Sequence, residues 1–242
     1  AHLALGLTGV GAWSPELTAA MRDAIRSCDR GAGTSRQSLP LDVIAVAGLG
    51  IPDAPLVTGG PAAPADFAVA GAFYMLREVE ISAAKYEHVR VPANTESATW
   101  LLPSSKTDPR AVGVSRTWDC CCAVESLRPA CPVHALQRQL ARVAVTAARL
   151  GKPAEELPLF HTRSGEEVGK HAAVGTIFRL AEAIGQPIRD ATGAYQYGGH
   201  SLRTGGAHML ASRGVNPFRI QSLGLRKSST GRALCRRVHG NW

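Results

Sequence analysis

The stretch that decides the fold lies near the C-terminal end and reads Gly199-His200-Ser201-Leu202-Arg203-Thr204-Gly205-Gly206-Ala207-His208-Met209-Leu210-Ala211. Its apolar spacing predicts a helix over residues 202–211, ending at Gly214. The small residues 205–207 predict close packing of that helix on a neighbour. His200 and Arg203, three residues apart, share one helix face. Such a pair can present a proton-transfer group and a bidentate phosphate ligand to the same phosphodiester.

Helical periodicity recurs outward from this stretch, over residues 66–86, 133–150, 169–184 and 217–223, and a short amphipathic helix is predicted over 15–27. Between the helices, residues 88–91, 99–102 and 112–114 predict strands, and the last two form a hairpin with Lys106 near its tip. We therefore expect a mostly α fold with a small antiparallel β-sheet, of the α+β class. Gly- and Pro-rich composition predicts a partial N-terminal segment and linker over 1–64, followed by one domain over 65–242.

The charge of the chain is unevenly distributed. Its 242 residues carry 27 Lys and Arg against 19 Asp and Glu, a formal charge of +8. No acidic residue follows Asp190, whereas eight basic residues do, so the whole excess lies in the last 52 residues. This asymmetry favours a polyanionic partner, above all nucleic acid, over a basic tail that only aids solubility. No apolar run reaches the roughly 20 residues of a membrane span, so no membrane segment is predicted.

Six cysteines raise the question of a metal site. Cys120, Cys121 and Cys122 are adjacent, and Cys131 and His134 follow within a few residues. Three adjacent cysteines cannot easily all bind one tetrahedral zinc ion, and the usual Cys-x-x-Cys pair is absent. The favoured interpretation is a loop of reduced thiols before a helix that begins with proline, with neither a metal nor another cofactor. A disulfide framework is not predicted, because no signal peptide is evident.

Three segments follow one another in a defined order: Leu76-Arg77-Glu78-Val79-Glu80, then Ser105-Lys106-Thr107-Asp108, then His200-Ser201-Leu202-Arg203. In this order they resemble the tyrosine recombinases, or phage-type integrases, over roughly residues 65–230. The resemblance implies the fold of the recombinase catalytic domain. It also implies that Arg77 and Arg203 hold the scissile phosphate. Glu80 is interpreted as a structural partner of a neighbouring basic residue rather than as a catalyst. Lys106 would be the general acid in the minor groove, and His200 would assist proton transfer at the attacking hydroxyl.

The chain departs from the family pattern after this motif. Where the family has a His or Trp, this chain has Leu225 and Arg226. Arg226 and Lys227 are interpreted as DNA-binding cations, because an arginine can still donate to a phosphate. No tyrosine follows Tyr197, so the nucleophile of the covalent step is not found. Transesterification needs that hydroxyl, and strand breaking and rejoining is therefore left open as an activity.

The resemblance implies a DNA-binding protein of DNA integration or site-specific recombination, in the setting of a mobile element, that is impaired in cleavage. The expected partners are double-stranded DNA and further copies of the chain assembled on it, without a membrane. The expected location is intracellular and DNA-associated, in the nucleus if the host is eukaryotic. Three alternatives stand beside this interpretation: a non-catalytic DNA-binding derivative of such an enzyme, a zinc-stabilised interaction module, and a relative of type IB topoisomerases, which need the same tyrosine.

Overall fold

The computed structural model describes residues 38–92, 96–103, 113–120, 122, 124–225 and 229–230. Within these ranges the α-helices are α1 (Val43–Gly48), α2 (Pro64–Phe73), α3 (Glu78–Ser82), α4 (Pro132–Leu150), α5 (Lys170–Ala183), α6 (Ser201–Ser212) and α7 (Pro217–Leu225). The strands are β1 (Val89–Arg90), β2 (Ser97–Leu102), β3 (Val114–Asp119) and β4 (Ser229–Thr230). Short 3-10 helices cover Tyr86–His88, Glu125–Ala130 and Ala154–Glu156. The helix predicted over 15–27 lies outside the described residues.

The longest helix, α4, follows from local sequence signals. Pro132 occupies its first position, where the missing N–H costs no hydrogen bond. Gly151 ends it with a left-handed φ of 64°, which glycine adopts without a steric penalty. The helix buries one stripe, made of residues such as Val133, Leu136 and Val143. The prediction of a helix over 133–150 is therefore confirmed, as are those of the helices over 169–184, 202–211 and 217–223 to within a few residues.

The single helix predicted over 66–86 is wrong, because the structure divides it into α2 and α3. The break falls at Met75, a non-glycine residue with a left-handed φ of 49°. Hydrogen bonds to the sheet hold the backbone there: the Tyr74 hydroxyl donates to the carbonyl of Ala98 on β2 at 2.8 Å, and Arg116 on β3 donates to the carbonyl of Tyr74. Tertiary hydrogen bonds thus override the helical periodicity of the segment.

The sheet is small and lies beside the helices in the order β1-β2-β3-β4. The first three strands pair antiparallel, with Val89 opposite Trp100 and Trp100 opposite Arg116. The two-residue strand β4 pairs parallel with β3. Residues alternate between buried and more exposed along β3, as in a strand with one face on the core. The prediction of a mostly α fold with a small antiparallel sheet is confirmed at this coarse level.

The core forms around α2, which is buried on nearly all its faces. Helix α6 packs closely on it, because a Cβ at Gly206 would collide with the backbone carbonyl of Ala72. Leu41 and Val46, which precede α2, belong to the same hydrophobic core. The described residues, all from Ser38 onward, belong to one compact unit. The division at residue 64 stays a prediction, since residues 1–37 lie outside the described part of the chain.

The described helices were also compared with the dimensions of a bilayer. Helix α4 is the longest of them at 19 residues, and its exposed face is rich in polar and charged side chains. Among the residues that the structure describes, no helix combines the length and the hydrophobicity needed to cross a membrane.

Candidate phosphate-binding site

Two arginines that are distant in the sequence meet on the carboxylate of Glu80. The Arg77 guanidinium donates to Oε1 of Glu80 through Nε at 3.1 Å and Nη2 at 2.8 Å. Nη2 of Arg203, on α6, donates to the other oxygen, Oε2, at 2.8 Å. The backbone N–H of Arg77 also donates to Oε2, which fixes Glu80 in the first turn of α3 as in a capping box. These contacts agree with the expectation that Glu80 is a structural partner of a neighbouring basic residue.

The turn between α2 and α3 orients Arg203 from a second side. The carbonyl of Met75 accepts from Nε of Arg203 at 2.8 Å, so both ends of this guanidinium are fixed. Arg116, on β3, approaches the same turn and donates through Nη1 to the carbonyls of Tyr74 and Met75. The left-handed turn at Met75 therefore presents its carbonyl to two arginines. We call Arg77, Arg116, Arg203 and Glu80 the arginine cluster.

The arginine cluster holds more positive than negative charge in a partly buried place. Burial and the positive charge of Arg203 lower the pKa of Arg116 to about 10, although the negative charge of Glu80 opposes this effect. Burial likewise lowers the pKa of Arg203, although the charge of Glu80 opposes this effect. Burial acts to raise the pKa of Glu80, but hydrogen bonds from Arg77 and the charges of both partner arginines outweigh it, so the pKa falls below its usual value. Arg116, Arg203 and Glu80 are therefore ionised at neutral pH, and an anion would relieve the excess positive charge of the cluster.

Both guanidiniums of the Glu80 pair keep donors for a ligand. A guanidinium has five N–H donors. Arg77 and Arg203 each use two of them in the hydrogen bonds above, which leaves three on each among the described residues. Their side chains are 17% and 25% exposed, so solvent reaches them while Glu80, at 7%, is enclosed behind them. The arrangement can bind the non-bridging oxygens of a phosphate from one side.

His200 is held next to the same helix start. It directly precedes α6 and is exposed, one helical turn before Arg203. The neighbouring Gly199 accepts a hydrogen bond from the backbone N–H of Glu78 at 3.0 Å, and a Cβ at Gly199 would collide with the Glu78 carboxylate. The start of α6 is therefore packed against the start of α3, where Arg77 lies. The structure thus brings His200, Arg77 and Arg203 to one region of the surface.

The other predicted site residues lie outside the described part of the chain. Lys106 falls between β2 and β3, whose pairing confirms the predicted hairpin. Arg226 and Lys227 follow α7 directly. Their roles therefore stay predictions.

Sequence reasoning missed Arg116, which is only 3% exposed. Its signal was present in the alternation of β3, where Val114, Arg116 and Trp118 share the buried face. An arginine on the apolar face of a strand must meet acceptors, and here these are the carbonyls of the turn at Met75. Arg116 therefore supports the arginine cluster from beneath rather than presenting a donor to solvent.

A second set of polar side chains lies at the other end of β3. Cys120, Cys122, Cys131 and His134 have their ligand atoms within 4.8 Å of one another. The three cysteines are free thiols. The sequence argument against a metal considered three adjacent cysteines together, whereas this arrangement uses two of them plus Cys131. We call these four residues the thiol–imidazole cluster.

The known proteins that resemble this chain were found among solved structures. No protein-family model matches the chain, and no curated protein matches it. Among solved structures, the XerH site-specific recombinase bound to its difH substrate, in a pre-cleavage complex, is similar with a TM-score of 0.49 and 15% sequence identity. The similarity covers 77% of this chain and 47% of the recombinase, so the chain spans about half the length of that protein.

Proposed function

We propose that this chain binds duplex DNA in the manner of a tyrosine recombinase catalytic domain, with Arg77 and Arg203 on one backbone phosphate. The observation that carries the proposal is the convergence of these two guanidiniums on Glu80, with donors left over on both. Two arginines held on one carboxylate are oriented before a ligand arrives, which reduces the entropy lost on binding. Their planar, forked donors match the paired oxygens of a phosphate better than two lysines would.

The remaining predicted residues take their roles in this proposal from the order of the motifs. In this proposal His200 is a proton-transfer group beside the bound phosphate, and Lys106 contacts DNA in the minor groove. Arg226 and Lys227 add phosphate contacts beyond α7. The basic last 52 residues supply further counterion release on DNA. The site belongs to the compact unit that begins at Ser38, and we assign to the remnant of a second DNA-binding part those residues of the 1–64 segment that precede Ser38.

We further propose that these 242 residues bind DNA without cutting it. The sequence contains no tyrosine after Tyr197, and Tyr195 and Tyr197 precede the His200 motif. The biological setting we propose is DNA integration or site-specific recombination by a mobile element, with copies of the chain assembled on DNA. Incubation with a nicked duplex, which traps covalent protein–DNA adducts, tests whether the chain cuts DNA. We expect no adduct, and an adduct that survives denaturation would contradict the proposal.

The phosphate contacts are tested by equilibrium binding to a duplex across a salt series. We expect the affinity to fall steeply with salt, because phosphate contacts displace condensed counterions. Replacing both Arg77 and Arg203 with Gln should reduce the magnitude of the log–log slope by about 0.9, because the two arginines neutralise a single phosphate. Arg149→Gln is the matched control, since Arg149 is exposed and, within the described part of the chain, its side chain donates only to the carbonyl of Arg163. An unchanged slope in the double variant would refute the proposed contacts.

A further variant separates lost contacts from lost folding. The double replacement leaves Glu80 buried without its partners, and such a variant must be checked by circular dichroism and urea unfolding. Arg203→Lys keeps a cation beside Glu80 but removes the forked donor. We expect a folded protein with at least several-fold weaker DNA binding. Wild-type affinity in a folded Arg203→Lys variant would show that bidentate binding by Arg203 is not used.

A further inference from the structure

The structure assigns a structural zinc site to the thiol–imidazole cluster of Cys120, Cys122, Cys131 and His134. This site lies apart from the arginine cluster, at the opposite end of β3, and it does not depend on DNA binding. Thiolate and imidazole are the donors that zinc prefers, and four protein ligands with none left open are typical of a structural site rather than a catalytic one.

The distances within the cluster fit a tetrahedral ion. With zinc–sulfur bonds of about 2.3 Å and zinc–nitrogen bonds of about 2.1 Å, the sulfur and nitrogen of neighbouring ligands are about 3.6 Å apart. Nδ1 of His134 lies 3.7 Å from Sγ of Cys120 and 3.7 Å from Sγ of Cys122. All four ligand atoms lie within 4.8 Å of one another, so they surround one common point.

Local backbone structure holds each pair of ligands in place. Cys131 is the N-cap residue of α4, and His134 lies three residues later in the first turn, which places both on the same side of the helix start. Cys131 is anchored by its own N–H, which donates to the carbonyl of Arg128 at 3.1 Å, and by its carbonyl, which accepts from Ala135.

The second pair comes from the end of β3. The backbone N–H of Cys120 donates to the carbonyl of Glu96, which continues the pairing of β3 with the β2 side of the sheet. The backbone N–H of Cys122 donates to Sγ of Cys120 at 3.5 Å, a contact that stabilises a metal-bound thiolate. The ligand spacing is therefore Cys-x-Cys from the strand end and Cys-x-x-His from the helix start.

The surrounding charges suit an anionic zinc centre. Three thiolates, a neutral imidazole and Zn²⁺ leave one net negative charge. The charges of Arg128 and Arg138 act on His134, against the single opposing charge of Glu96, so the surroundings are net positive. Arg138 also donates to the carbonyls of Arg128 and Pro129, which stiffens the loop between the two ligand pairs. The ion would tie the end of β3 to the start of α4, and β3 also carries Arg116.

The test is the zinc content of the full chain, purified under reducing conditions without chelators and measured by elemental mass spectrometry. We expect about one zinc per chain, as for a closed four-ligand site. His134→Ala and Cys122→Ser should each lower the zinc content at least several-fold. His171→Ala is the matched control, because His171 is exposed near the start of α5 and belongs to no cluster among the described residues. Zinc that is absent from the wild-type chain, or unchanged in His134→Ala, would overturn the assignment.

A second measurement covers variants that fail to fold. The metal-free wild-type chain is titrated with Co²⁺ alone. Cobalt binds at zinc sites, and its absorption spectrum shows which ligands it has and in what geometry. We expect thiolate-to-cobalt charge transfer together with the intense visible bands of a tetrahedral ion, both lost on addition of excess Zn²⁺. A spectrum of octahedral, oxygen-bound cobalt would overturn the assignment. DNA binding by the arginine cluster is measured separately, so the failure of one proposal leaves the other unaffected.

Discussion

Glu80→Gln removes the charge that holds the two arginines together while it preserves the shape of the side chain. Glu80 is 7% exposed and accepts four hydrogen bonds, three from Arg77 and one from Arg203. Glutamine keeps one acceptor oxygen and turns an amide N–H₂ toward the remaining donors. About two charge-assisted hydrogen bonds are lost, at roughly 1.5–3 kcal/mol each. The lower desolvation cost of the neutral amide offsets part of this loss, and we expect a net destabilisation of about 3 kcal/mol.

The assay is urea unfolding of both proteins at several pH values. In thermal unfolding at neutral pH, a loss of about 3 kcal/mol corresponds to a fall in melting temperature of about 6–12 °C for a chain of this size. The pKa of Glu80 is lowered in the folded state, because Arg77 and Arg203 outweigh the effect of burial. Its stabilisation is therefore fully present above the unfolded glutamate pKa of about 4.3, and is lost as the pH falls through the lower folded value. The stability difference between the two proteins should shrink below about pH 4.

Glu182→Gln is the matched control for this prediction. Glu182 forms an ion pair with Arg179 at the same sequence spacing, but the two side chains are 39% and 60% exposed. An exposed pair contributes less than about 1 kcal/mol, because water screens it. The reasoning is refuted if Glu80→Gln costs no more than Glu182→Gln, or if the difference from wild type does not depend on acidic pH.

Two further changes test the packing that positions the arginine cluster. Gly206→Ala places a Cβ against a backbone carbonyl of α2 and should lower the free energy of unfolding by about 3 kcal/mol. Gly48→Ala, which has open space around it, should leave thermal stability unchanged or slightly raise it. Asp66→Asn removes the charge of a buried carboxylate that pairs with two arginines of α4, and it should lower the free energy of unfolding by about 3 kcal/mol. Asp53→Asn removes the charge of an exposed carboxylate and should lower the free energy of urea unfolding by less than about 1 kcal/mol. Equal effects within either pair of variants would contradict these expectations.

Much of the fold could be predicted where the signal is local. Helix α4 combines an apolar stripe with Pro132 at its start and Gly151 after its end, and the structure follows these signals within one residue. The β2–β3 hairpin was predicted from β-rich runs around a turn signal and is confirmed. The helix over 66–86 failed for the opposite reason. Its break at Met75 is set by hydrogen bonds from Tyr74 and Arg116 to partners distant in sequence, which no local pattern contains.

The features of the candidate site also separate into those with a local sequence signal and those set by tertiary contacts. The sequence by itself determined the order of Arg77, Lys106 and Arg203, the absence of acidic residues after Asp190, and the positions of most helices, because periodicity, turn residues and charge are properties of neighbouring residues. Only the tertiary structure decided that Arg77 and Arg203 share Glu80 and that Arg116 lies beneath them. It alone also brought two cysteines from the end of β3 to the cysteine and histidine at the start of α4. Such contacts arise when separate segments pack into one core, and their partners are chosen by distance in space rather than in sequence.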